Sequence, residues 1–209
     1  MYTPSVNRVK DRSLLLEAMR SSSFAALCAA SPFEAGETLI ATHLPLLIED
    51  EGPHGCITGH FAMANLELLA LDGHEVLVIF QGPNSYVSPR LYANPFPVPT
   101  WNYIAIHASG KLQALHDNDE KEPILKGLMN QHEPEMALRW NELPDDQRLP
   151  LLNAICGFRL LITSIDGKFK LSQNRSQEDQ LRIHAAHSVG DPDQRALADW
   201  MLKTGQLHP

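Results

Sequence analysis

The stretch "VPTWNYIAIHASG", residues 98–110, decides the fold class because its apolar residues recur with period two. In a strand, successive side chains point to opposite faces, and residues two apart line one face. Asn102, Ile104, Ile106 and Ala108 then form one mostly apolar face, suited to a core. Trp101, Tyr103, Ala105, His107 and Ser109 form the other, which carries two aromatic rings and several hydrogen-bonding groups and is expected to meet a ligand or a partner chain.

Working outward, the same alternation or short apolar runs between turn residues predict strands at 23–30, 38–50, 54–61 and 74–82. The first two are joined as a hairpin by "SPFEAGE" (31–37). Helices are predicted at 11–20, after an acidic start, and at 62–73, closed by Gly73. Residues 83–99 hold five of the fifteen prolines and read as a looped excursion with a short strand at Tyr86–Val87. From 117 to 155 charged residues interleave with apolar ones at helical spacing, a helical insertion. Residues 156–175 read as a strand pair or one long bent strand. Two C-terminal helices, about 176–204, follow. The first starts with a variant capping box, Ser176 with Asp179 three residues on, and the second is closed by Gly205. Strands first and helices later argue for a mainly β fold with α additions, a small antiparallel barrel in one domain spanning 1–209.

Composition narrows the function classes. The three cysteines, Cys28, Cys56 and Cys156, form no CxxC pair and specify neither a disulfide framework nor a zinc site. With no signal-type leader and no membrane-length apolar run, a soluble cytoplasmic protein is expected, without membrane attachment. The formal net charge of −8 opposes nonspecific attraction to nucleic acid or an anionic membrane. Glycine-rich nucleotide fingerprints are absent, as is a GxSxG nucleophile elbow that would serve Ser88 or Cys56. The spacing of His43, His54, His60 and His107 matches no zinc motif, so no metal is expected.

Two strand-to-helix junctions are the candidate anion sites. In "KFKLSQNR" (168–175), Lys168, Lys170 and Arg175 surround Ser172, Gln173 and Asn174 just before a helix start. In "GHFAMAN" (59–65) a strand runs into another helix start. With the aromatic face of "TWNY", these segments could hold a ligand with a flat ring and an anionic tail, as flavin mononucleotide (FMN) has.

These blocks also carry a resemblance. "IATHLPL" (40–46), "ITGHFA" (57–62), "FQGP" (80–83) with "YVSP" (86–89), "VPTWNY" (98–103) with His107 and Gly110, "GF" (157–158) and "KLSQNR" (170–175), in this order, resemble the PaiB-like proteins. That family is described as FMN-binding negative transcriptional regulators with the split-barrel fold of flavin reductases and pyridoxamine-phosphate oxidases. The resemblance implies a six-stranded antiparallel split β-barrel, a homodimer, and FMN in clefts at the dimer interface. It assigns the cofactor to Thr42, His43, His60, Ala62, Asn65, Thr100, Trp101, Asn102, Lys170, Ser172, Gln173, Asn174 and Arg175. It names no catalytic residue. Two departures stand out: "NLEL" follows where relatives often read Asn-Pro-x-Trp from Asn65, and Asn84-Ser85 replaces His-Ala, so weak FMN retention or its loss is one expectation. The functional expectations are a regulatory flavoprotein acting on transcription indirectly, since no helix-turn-helix or basic stripe is visible, or a flavin-dependent oxidoreductase. Haem held through a histidine is a third reading with no residue to single out.

Overall fold

The computed structural model describes residues 1–33, 38–94 and 98–207. The quoted segment opens β7 (Thr100–Leu115), where burial alternates residue by residue from Trp101 to Gly110, with Asn102, Ile104, Ile106 and Ala108 inside. Gly110 ends the segment for a steric reason: a Cβ there would lie 2.3 Å from the Leu161 carbonyl oxygen.

Before β7 come β1 (Arg8–Val9), α1 (Arg12–Ser21), β2 (Phe24–Ala30), β3 (Leu39–Pro45), β4 (Leu47–Glu49), β5 (Cys56–Ala62), α2 (Leu66–Leu69) and β6 (Glu75–Val87). After it come α3 (Asn118–His132), α4 (Pro134–Trp140), α5 (Asp145–Asn153), β8 (Ile155–Leu161), β9 (Ser164–Lys170), α6 (Gln177–Ser188) and α7 (Pro192–Lys203). The strands follow the order β3-β2-β6-β7-β8-β5-β4, with β9 paired to β7 and β1. Every pair with an assigned register is antiparallel.

The mainly β class with helical additions holds, with more strands than the six expected. Residues 38–50 form two strands, because Leu46 leaves the β3 ladder and donates its N–H to Ser23 O. The helix expected at 62–73 is only the four-residue α2, and Gly73, with φ +76, donates its N–H to Leu112 O. β6 does not stop at Gly82 but runs through Pro83. β2 pairs with it only at Leu77–Ile79, so a proline farther along removes no bond from that ladder. Residues 156–175 hold two strands that pair with other strands rather than with each other. Of the expected turn at 31–37, residues 34–37 lie outside the described residues, as do 95–97 of the looped excursion.

The chain divides into two units, and the divisions fall within α1, β6, β7 and β9. The first comprises Met1–Ala18, Gln81–Ile106 and Asp166–Pro209. Its interior includes Phe169, whose ring meets Trp200 edge-on at 5.2 Å, and Gly167, where a Cβ would lie 2.2 Å from Leu15 Cδ2. The second comprises Met19–Phe80 and His107–Ile165. There Phe61 and Phe158 stack at 6.0 Å. Ile124 and Leu128 of α3 bury against Leu115 and Leu47.

Candidate functional site

In the first unit, β9 runs into α6 through the turn Leu171–Arg175. Lys170 Nζ donates to Thr100 Oγ1 and, at 2.9 Å, to the Trp101 carbonyl oxygen, so its bonds go to neutral oxygens. Burial lowers the Lys170 pKa below its usual 10.5, and repulsion from Lys168 and Arg175 lowers it further. Three cations thus crowd one corner. The Arg175 guanidinium sits 4.1 Å from the Tyr92 ring centroid, a stacked cation that keeps its N–H edges for other partners.

The polar residues of "SQN" divide. Ser172 is buried with φ +66, and its Oγ–H donates to Asn102 Oδ1 at 2.9 Å. Gln173 turns back on its own strand, accepting from Leu171 N at 2.7 Å and donating to Phe169 O. Asn174 is exposed. Ser176 caps α6, accepting from Asp179 N at 3.2 Å, but the other half of the capping box is missing. The Asp179 carboxylate instead accepts from Ala93 N at 2.8 Å, fixing the chain just beyond Tyr92. Trp101, 53 % exposed, meets the half-exposed Tyr86 edge-on at 6.1 Å, and Lys168 lies 5.4 Å from the Tyr103 ring. The departure at Asn84-Ser85 is bound to α7: Asn84 N donates to Asp193 Oδ2, and Gln194 Nε2 donates to Ser85 Oγ.

The remaining expected residues lie in the second unit. Thr42 and His43 are neighbours on β3 and so face opposite sides; His43 is exposed and stacks on Phe24 at 5.9 Å. His60 is half-buried opposite Gly157, with Nδ1 buried and unbonded among the described residues. Burial lowers its pKa below 6.5. Ala62 is exposed at the end of β5. Asn65 caps α2, its Oδ1 accepting from Leu68 N at 3.1 Å. Residues 59–73 contain no lysine or arginine, and the first turn of α2 carries Glu67.

The structure therefore brings together Thr100, Trp101 and Lys170, and joins Asn102 to Ser172. Tyr92 and Tyr86 complete this corner and were missed from sequence. They sit at the two ends of a segment without periodicity, and a ring under a guanidinium leaves no signature in spacing. Among the described residues no group of three His, Cys, Asp or Glu side chains could hold a metal, and the three cysteines are free. No helix among them is long and apolar enough to cross a membrane.

Residues 1–164 match the family described as "Putative FMN-binding domain". The chain is 33% identical over 205 residues to protease synthase and sporulation protein PAI 2 of Bacillus subtilis, covering 96% of each. Among solved structures it resembles the FAD and heme binding protein of Mycobacterium smegmatis, with a TM-score of 0.58 and 16% identity over 78% of this chain and 73% of that one. It also resembles the flavocytochrome Anf3 of Azotobacter vinelandii, with a TM-score of 0.56 and 16% identity over 79% and 74%. At such identities these structures speak for the fold. The sequence matches and the split-barrel likeness together make this chain a member of the PaiB-like family.

Proposed function

We propose that the chain is a PaiB-like flavin-binding protein whose cofactor is FMN, with the phosphate held at the Leu171–Arg175 corner. The observation that carries the reading is the crowding of Lys168, Lys170 and Arg175, with Lys170 bonded, among the described residues, to neutral oxygens. A phosphate relieves that repulsion, and hydrogen bonds to a charged group contribute about 1.5–3 kcal/mol each. The residues fit the group: Lys170 and Arg175 hold the phosphate, and the exposed rings of Trp101 and Tyr86 offer apolar surface to a planar ligand. When bound, FMN supplies redox chemistry, while the protein binds and orients it.

FMN titration of the purified protein tests this. FMN is expected to bind more tightly than riboflavin by roughly tenfold or more, the share a charge-assisted phosphate contact confers. Equal affinities for the two ligands would refute the corner as the phosphate site.

Any effect on transcription is indirect in this reading, because 25 acidic residues outnumber 17 basic ones and the densest basic stretch serves the cofactor. A specific operator shift at submicromolar protein, not competed by bulk DNA, would refute it. Oxidation of NAD(P)H by the FMN-loaded protein would support the oxidoreductase alternative.

The protein works as a cytoplasmic homodimer and a single functional domain. Support for self-association comes from the outward face of the β2–β3 hairpin. Phe24, Ala26, Cys28 and Ala30 there lie opposite Pro45, His43, Ala41 and Leu39, with no Lys, Arg, Asp or Glu among them. Phe24 is 66 % exposed and Leu39 73 %. Such a strip is better suited to association than the Trp101–Ser109 face expected from sequence, and a monomeric mass by light scattering would overturn it.

A further inference from the structure

Among the described residues Ser172 is the one non-glycine in the left-handed region, with φ +66. A side chain disfavours that conformation, which persists where surrounding contacts over-determine it. The contact here is buried: Ser172 is 3 % exposed and donates its hydroxyl to Oδ1 of Asn102, which is 0 % exposed. Asn102 is also the one polar side chain on the otherwise apolar inner face formed with Ile104 and Ile106. Its Nδ2 is buried without a partner among the described residues, so an aliphatic side chain would fill the same space with no donor left open. Packing therefore does not account for an amide here, whereas the bond to Ser172 does.

The left-handed residue also has a consequence for the loop. It lets Arg175 N donate back to Ser172 O at 3.0 Å, a turn that returns Arg175 to the corner where it repels Lys170. We infer that Asn102 is a positioning residue: it touches no ligand, and it holds Ser172 left-handed so that the Leu171–Arg175 loop presents Arg175 beside Lys170 to an anion. This rests on the FMN reading for the identity of the anion and not for the geometry of the loop. It also gives Asn102 and Ser172 a different role from the direct cofactor contacts expected from sequence.

Four variants test it: Asn102→Ala, Ser172→Ala, Ser172→Gly and the double Asn102→Ala/Ser172→Gly. Glycine adopts positive φ without support, so it makes the amide dispensable. In the ligand-free protein, hydrogen–deuterium exchange across 171–175 is expected to quicken in Asn102→Ala and Ser172→Ala, and to return toward wild type in the double variant. The preference for FMN over riboflavin should shrink roughly tenfold in both alanine variants and survive in Ser172→Gly and the double. Unchanged exchange in Asn102→Ala, failure of Ser172→Gly to restore it, or equal weakening of FMN and riboflavin would overturn the assignment. Should Asn102→Ala not fold, the contrast between Ser172→Ala and Ser172→Gly decides. If wild type binds riboflavin as tightly as FMN, the FMN reading fails while the exchange measurements still judge the positioning role.

Discussion

Two strand-to-helix junctions that look alike in sequence behave differently in the structure. At β9–α6, the helix has twelve residues and the preceding turn carries crowded cations. At β5–α2, the helix has four residues, its cap Asn65 bonds Leu68 N, and its first turn is acidic. A lysine serves each region, with opposite availability. Lys170 is partly exposed and bonded to neutral oxygens beside two other cations. Lys121 is 4 % exposed and donates to Leu152 O at 2.9 Å and Ile155 O at 3.3 Å, fixing the segment that pairs with the end of β5. In the proposed reading the anion goes to the junction that carries the crowded cations, not to the one whose first turn is acidic.

The largest effect expected of that contrast is on cofactor affinity. Lys170→Ala should raise the FMN dissociation constant by roughly 10–150-fold, the equivalent of ~1.5–3 kcal/mol, and leave riboflavin binding unchanged. Arg175→Ala should do the same less strongly, since its guanidinium is already stacked on Tyr92. The exposed Lys111 is the control. Fluorescence titrations with both ligands measure this, and an Asn65→Ala variant that lost FMN as severely as Lys170→Ala would erase the distinction between the junctions.

Lys121→Met should cost stability rather than affinity. Leu152 O and the partly buried Ile155 O lose the lysine donor, and leaving such groups short of a partner costs about 1–3 kcal/mol. Urea denaturation reads the loss directly, and an unchanged midpoint would show that these bonds are not needed.

What sequence could supply follows from the range of the interactions. The alternation in 98–110 is local, so the buried face of β7 is readable, and the cap at Ser176 is too, whereas the capping box at Asp191 appears only in the structure. Where a distant partner decides, reading failed. β6 extends through Pro83 because β2 leaves it early. Asp179 abandons its capping box for Ala93 N, eighty-six residues away. The proposed anion corner divides likewise: Lys170 and Arg175 are visible as charges, whereas Tyr92 enters only once the chain folds back.

Asn65→Ala should reduce stability by about 1 kcal/mol, the usual loss of a side-chain N-cap. FMN affinity should stay within error of wild type, because the cap already satisfies its nearest backbone donor. Thermal denaturation with a parallel FMN titration separates the two. A stability change without an affinity change sharpens the contrast between the junctions.

The smallest expected effect concerns the histidine buried in each region. His187 of α6 is 2 % exposed, and neither ring nitrogen is bonded among the described residues; His60 of β5 is half-buried with Nδ1 unbonded. Burial lowers both pKa values below the ordinary 6.5, with Asp191 opposing the shift of His187 and His184 adding to it. The unfolded chain therefore takes up a proton as pH drops below 6.5 while the folded protein resists it, so each histidine removes stability on acidification until pH passes the lowered native pKa. Above the unfolded value neither contributes. Replacing each by leucine should leave the pH dependence of stability above 7 unchanged and flatten its fall on the acid side. The flattening should be greater for His187→Leu, whose ring has no solvent-facing edge, than for His60→Leu. Denaturation midpoints from pH 8 to pH 5 measure it, and an acid limb as steep in His187→Leu as in wild type would mean that the buried ring does not govern the acid response of the α6–α7 region.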